Sequence, residues 1–151
     1  MSWKILYTNV IILLMLNVFP DLLFLQLLAP FLIRVAVGVM FIWIGYSYLF
    51  RDMSAVTDQL QTIVKSKARF FVWFGGLFEI VTGLFLIAGF LTQIAAIAGM
   101  LIAIDALVGK WKYSELDKVL RYSKQFYILI FIASLSLLFS GAGAFAFDLP
   151  L

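Results

Sequence analysis

Apolar runs about as long as a bilayer is thick recur along this chain, and they leave it few folds to choose from. Such runs cover residues 29–50, 68–90, 91–109 and 122–139. A helix needs roughly twenty apolar residues to cross about 30 Å of hydrocarbon, because it rises about 1.5 Å per residue and satisfies its own backbone. Hydrophobic residues form 65% of the sequence, and its mean hydropathy is +1.11. A soluble domain is closer to half apolar. The runs are continuous rather than alternating, which argues against a transmembrane β-barrel. The expected fold is therefore all-α, a polytopic membrane bundle with a four-helix core.

An N-terminal segment, residues 1–28, stands apart from a membrane domain at 29–151. Lys4 followed by the apolar stretch 5–19 resembles a signal peptide, but 17–21 (Asn-Val-Phe-Pro-Asp) makes a poor cleavage site. The stretch either crosses once as a signal-anchor helix broken at Pro20, or lies on the membrane surface. In the first case 21–28 forms a short interfacial helix, and Pro30 starts the next span.

Little chain remains between 90 and 93, so the second and third runs form a tight antiparallel hairpin. Arg51, Lys65, Lys67 and Arg69 fall in one loop, and Lys110, Lys112, Lys118, Arg121 and Lys124 in another, both on one side of the core. The positive-inside rule makes that side cytoplasmic and puts Asp148 and the C-terminus outside, as expected for a plasma (inner) membrane protein. Met53, Val56, Leu60, Ile63 and Val64 recur at helical spacing, predicting an amphipathic helix at the inner leaflet. Ser114 and Asp117 resemble a capping box, so the last helix is expected to begin near Tyr113 and to end at Gly141 and Gly143.

Several functions are excluded by residue type. The chain has no Cys and no His, so it cannot form a disulfide or hold a haem or iron–sulfur cluster by their usual ligands. A phosphate-binding glycine loop, an HExxH motif and a serine–histidine arrangement are all absent. The basic loops suit anionic lipid headgroups better than nucleic acid.

The polar groups inside the runs are the candidates for function, since a charge in the bilayer is costly and is usually turned inward. Glu79 shares a helix face with Gly76 and Gly83, and Arg34 shares one with Gly38 and Gly45. Those glycines are expected to let helices approach closely. Counted along the helices, Arg34 and Glu79 differ in depth by roughly 9 Å, which a long guanidinium could bridge directly or through water. The pair either fixes helix register or forms a polar pocket for a quinone headgroup or a proton. Asp105 falls level with Tyr46 and Tyr48, roughly 15 Å of helix rise from Arg34. Its expected partners are a tyrosine hydroxyl, Arg51 or Lys110. Glu79 and Asp105 differ in depth and lack a third ligand, so no metal site is expected.

In their order and spacing three segments resemble the DoxX family. They are Arg34-Val-Ala-Val-Gly38 running to Gly45, Glu79-Ile-Val-Thr-Gly83 running through Gly89 and Thr92, and Gly141-Ala-Gly143 running to Asp148. Tyr48 stands where the family often has Lys, and Gln93 where it often has Arg, so any role of those bases does not carry over. The resemblance implies a small four-helix membrane protein, in a family linked through its founding member to a thiosulfate:quinone oxidoreductase and through others to oxidative-stress complexes. Two functions are open. One is an accessory subunit of a quinone-linked redox assembly, without catalysis by the isolated chain; the other is a scaffold that binds membrane subunits or a second copy of itself. A small-solute carrier is less favoured, because no inverted repeat is visible.

Overall fold

The computed structural model describes residues 23–113, 120, 122–143 and 145–147, and every element among them is helical. Helix α1 (Leu23–Tyr46) continues into a π-helical turn, Ser47–Arg51. Then come α2 (Met53–Val64), a 3₁₀ turn (Lys65–Lys67), α3 (Ala68–Ala88), α4 (Thr92–Lys112) and α5 (Lys124–Ser140). Three stretches are long and apolar enough to cross a membrane: Leu27–Arg51, Ala68–Ala88 and Thr92–Lys112. Helix α5 is apolar but shorter, at 17 residues.

Helices α1 and α3 lie antiparallel and touch backbone to backbone. A Cβ added at Gly45 would sit 2.5 Å from the Gly76 carbonyl oxygen, and one at Gly83 would sit 2.5 Å from the Gly38 carbonyl oxygen. Such approach lets dispersion and backbone contacts hold helices together where lipid offers no hydrophobic drive. Helix α4 lies against α5, and Gly99 of α4 faces the Phe41 ring of α1 and the Ser134 hydroxyl of α5. The buried centre gathers Phe41, Ile44, Leu86, Ala96, Ile130 and Leu137. Outward faces carry Trp43, Phe50, Leu101, Leu129 and Ile132, the composition of surfaces that meet lipid.

The hairpin between α3 and α4 closes at Gly89. Its φ of +68° lets the Phe90 amide reach the Phe85 carbonyl and the Gly89 amide the Leu86 carbonyl. The Phe85 and Phe90 rings meet edge to face, 5.8 Å between centroids, completing a Schellman stop.

Two sequence expectations change. Pro30 does not start the first helix, which already includes Leu23 and runs through the proline. Proline removes only one ladder bond, and the rest of a helix embedded in a bundle can absorb that loss. The last helix does not begin near Tyr113. The backbone is extended there, and α5 starts at Lys124 with Ser123 as N-cap, its hydroxyl accepting from the Phe126 amide. Helix α2 forms where amphipathic spacing predicts a helix, and it docks on α3 and buries Val56 and Thr57. The stretch 5–19, the capping box at 114–117, Lys118, Arg121 and Asp148 lie outside the described residues.

Candidate functional site

Arg34 and Glu79, the two buried charges that the sequence suggests as a pair, lie well apart along the α1/α3 seam, Arg34 at its hairpin end and Glu79 near its middle. The glycine contacts fix the register of that seam. They put Glu79 opposite Ile42, eight residues and about 12 Å of helix rise from Arg34. The arginine turns further away still. Its Nη1 donates to the Ala142 carbonyl at 2.7 Å and its Nη2 to the Phe145 carbonyl at 3.2 Å. It lies over the Phe31 ring, 5.4 Å from the centroid, and Phe31 meets Phe145 edge to face. A Cβ at Gly89 would collide with the guanidinium, so the glycine of the hairpin turn also makes room for Arg34. The expected bridge to Glu79 does not form. Backbone carbonyls from the segment after α5 take the guanidinium instead.

Glu79 looks the other way, into a cleft of about 570 Å³ between α3 and α4. Glu79 is only 8% exposed, and its Oε2 has no hydrogen-bond partner. Asp105 and Tyr48 line the same cleft. Glu79 and Asp105 are near enough for their charges to interact, contrary to the difference in depth read from the sequence. The hairpin explains this. Glu79 lies ten residues before Gly89 and Asp105 thirteen after Thr92, so the two end within about one helical turn of each other. Counting from the hairpin rather than from span ends would have found it.

The Tyr48 hydroxyl shares a hydrogen bond of 2.9 Å with that of Tyr127, on α5. Tyr48 lines the cleft beside Glu79. Tyr48 points inward because the π turn, closed by the Asp52 amide on the Ser47 carbonyl at 2.8 Å, buries Ser47 and Tyr48 together. Tyr46 points out instead, with its ring 5.0 Å from that of Phe50, and takes no part in the cleft. Tyr127 has no sequence signal beyond being a polar-tipped residue in an apolar run.

Asp105 is exposed on the cleft wall. Lys110, one of its expected partners, is buried and donates to the Leu120 carbonyl at 3.0 Å. That bond ties the end of α4 to the segment ahead of α5. The remaining walls are apolar and aromatic, chiefly Val56, Leu60, Phe71, Phe74, Phe78 and Leu101. Gly75 opens the wall of α3, since a Cβ there would meet nothing within 4 Å. Among the described residues no group of three or more acidic side chains could hold a metal ion.

The membrane helices, the glycine seam and this polar cleft are those of a small integral membrane protein. A family model, DoxX, matches residues 29–109, more than half the chain, and the protein belongs to the DoxX family. No curated protein and no solved structure matches it.

Proposed function

We propose that this chain is an accessory subunit of a quinone-linked redox assembly, and that Glu79 is its proton carrier. In this reading it sits in the plasma (inner) membrane, with its basic loops in the cytoplasm and its C-terminus outside. Other membrane subunits, or a second copy of the chain, complete the assembly. The observation that carries the reading is a nearly buried carboxyl with an unpartnered oxygen on an open cleft. Intramembrane carboxyls of this kind belong to proton paths, because the group can take up and release a proton where few others can. The Tyr48–Tyr127 hydroxyl pair extends the hydrogen-bonding groups from Glu79 toward α5.

The quinone itself does not fit this chain's own residues. A quinone headgroup presents two carbonyl oxygens and needs donors. Arg34, the strongest donor in the spans, is turned onto the Ala142 and Phe145 carbonyls. The cleft is lined by two carboxyl groups, and one of the two tyrosine protons is taken up between the phenols. The headgroup therefore belongs with a partner subunit. Electron transfer belongs there too, since a chain without His or Cys lacks the ordinary ligands for haem or iron–sulfur clusters.

Extraction of the tagged chain in mild detergent tests the proposal. Redox subunits should accompany it, and Glu79→Gln should leave that association intact while lowering the assembly's quinone turnover by about tenfold or more. A chain that purifies alone, or that turns over a quinol unaided, would refute it.

A further inference from the structure

Among the described residues, the cleft carries acid at its walls and no base. Glu79 and Asp105 line it together, and no Lys or Arg is among its described lining residues. Two carboxyl groups sharing a site of low dielectric repel when both are ionised, and one positive charge between them relieves this. Glu79 Oε2, without a partner and behind a side chain more than nine-tenths buried, is the acceptor left open for that charge.

A metal ion is the wrong size of answer. Calcium and magnesium want six or more oxygen ligands, and the cleft offers two carboxyls among phenylalanines. Its walls suit an organic cation instead. Tyr48, Phe71, Phe74 and Phe78 surround the acids with aromatic rings, which attract cations through their faces. The volume falls within the roughly 300–1,000 Å³ usual for small-molecule sites. Phe74, Phe78 and Leu101 belong both to the cleft and to the exposed apolar surface, so its mouth opens on the side that faces lipid.

We propose that the cleft between α3 and α4 binds an amphiphilic organic cation, a protonated amine or onium head on an apolar body, with its charge set between Glu79 and Asp105. The ligand arrives through the bilayer rather than from water. Two sources share this chemistry: the amino headgroup of a membrane lipid, and a free lipophilic amine. The inference goes beyond the proton-carrier reading and needs no redox partner.

Calorimetric titration of the full chain in a neutral maltoside detergent with tetraphenylphosphonium tests it, with tetraphenylborate as the anion of the same shape. Saturable binding of the phosphonium alone is expected. Glu79→Gln should weaken it by about tenfold or more, and Asp105→Asn, at an exposed position, by about threefold. Gly75→Leu keeps both charges but fills the cleft, and should abolish binding. Circular dichroism checks that each variant stays folded. Displacement of the phosphonium by added phosphatidylethanolamine would identify the lipid headgroup as the natural occupant, and its failure to displace would identify a free amphiphile. Equal binding of the borate, or unchanged phosphonium affinity in all three variants, would overturn the proposal. Since the chain is titrated alone, that result would leave the proton-carrier reading standing, and loss of co-purifying subunits would leave the cation site standing.

Discussion

Two buried charges of this protein, Arg34 and Glu79, live under opposite conditions. At the hairpin end, Arg34 is wholly buried and its guanidinium is spent on two carbonyls, a ring face and the space above a glycine. Near the middle of the seam, Glu79 keeps an oxygen without a partner and borders an open cleft. Both charges are costly to bring into a bilayer. Only one is repaid by contacts within the chain. A satisfied charge holds structure together, and an unsatisfied one next to a cavity is a place for something to bind.

Breaking the glycine seam that holds both sites should have the largest effect. Gly45→Leu would drive a side chain into the Gly76 carbonyl, where backbone meets backbone and neither can yield, and should destabilise the protein by more than about 3 kcal/mol. Thermal unfolding in detergent, read by circular dichroism, checks it. Next comes the hairpin end. Arg34→Met removes two charge-assisted hydrogen bonds and should destabilise by about 3 kcal/mol. It should also make the segment after α5 more sensitive to limited proteolysis than in wild type.

Glu79→Gln sharpens the contrast. The amide keeps the shape and removes a charge that no partner satisfies, so stability should stay within about 1 kcal/mol of wild type or rise. A loss as large as that of Arg34→Met would mean that Glu79 is structural after all, and the two sites would no longer differ. The smallest effect is expected at Gly75, next to the seam but facing the cleft. Gly75→Ala has open space for its methyl and should stabilise α3 by about 0.5–1 kcal/mol, whereas Gly76→Ala would press on Leu49. Parallel melting curves of the two alanine variants settle that comparison.

Much of the scaffold could be read from residue pattern. The apolar runs mark α1, α3, α4 and α5, the short 90–93 link marks the hairpin, and the spacing of Met53, Val56 and Leu60 marks α2. These are local signals, carried by neighbours in the chain. The partners of Arg34 are not, because backbone carbonyls more than a hundred residues away leave no trace in side-chain identity. Tyr127 escaped for the same reason, since its hydroxyl matters only once α5 lies against the end of α1. Asp105 was misread by a different route. Depth counted from span ends drifts with each uncertain boundary, whereas the hairpin turn is a fixed origin. Pro30 misled because a rule about free helices was applied to one supported by its neighbours.

The π turn at Ser47–Arg51 gives this protein an unusual sensitivity to chain length. Most surface segments of a protein tolerate the loss of a residue better than a change in a buried one. Here the ranking is reversed. Deleting any one residue between 47 and 51 would let the wide turn relax to ordinary α-helix, with the helix before it still in phase, and would re-aim the side chains of the turn itself. Tyr48 would leave Tyr127 while the glycine seam and the Arg34 contacts stay in register. Relatives that keep this cleft should thus vary in the letters of the turn far more freely than in their number.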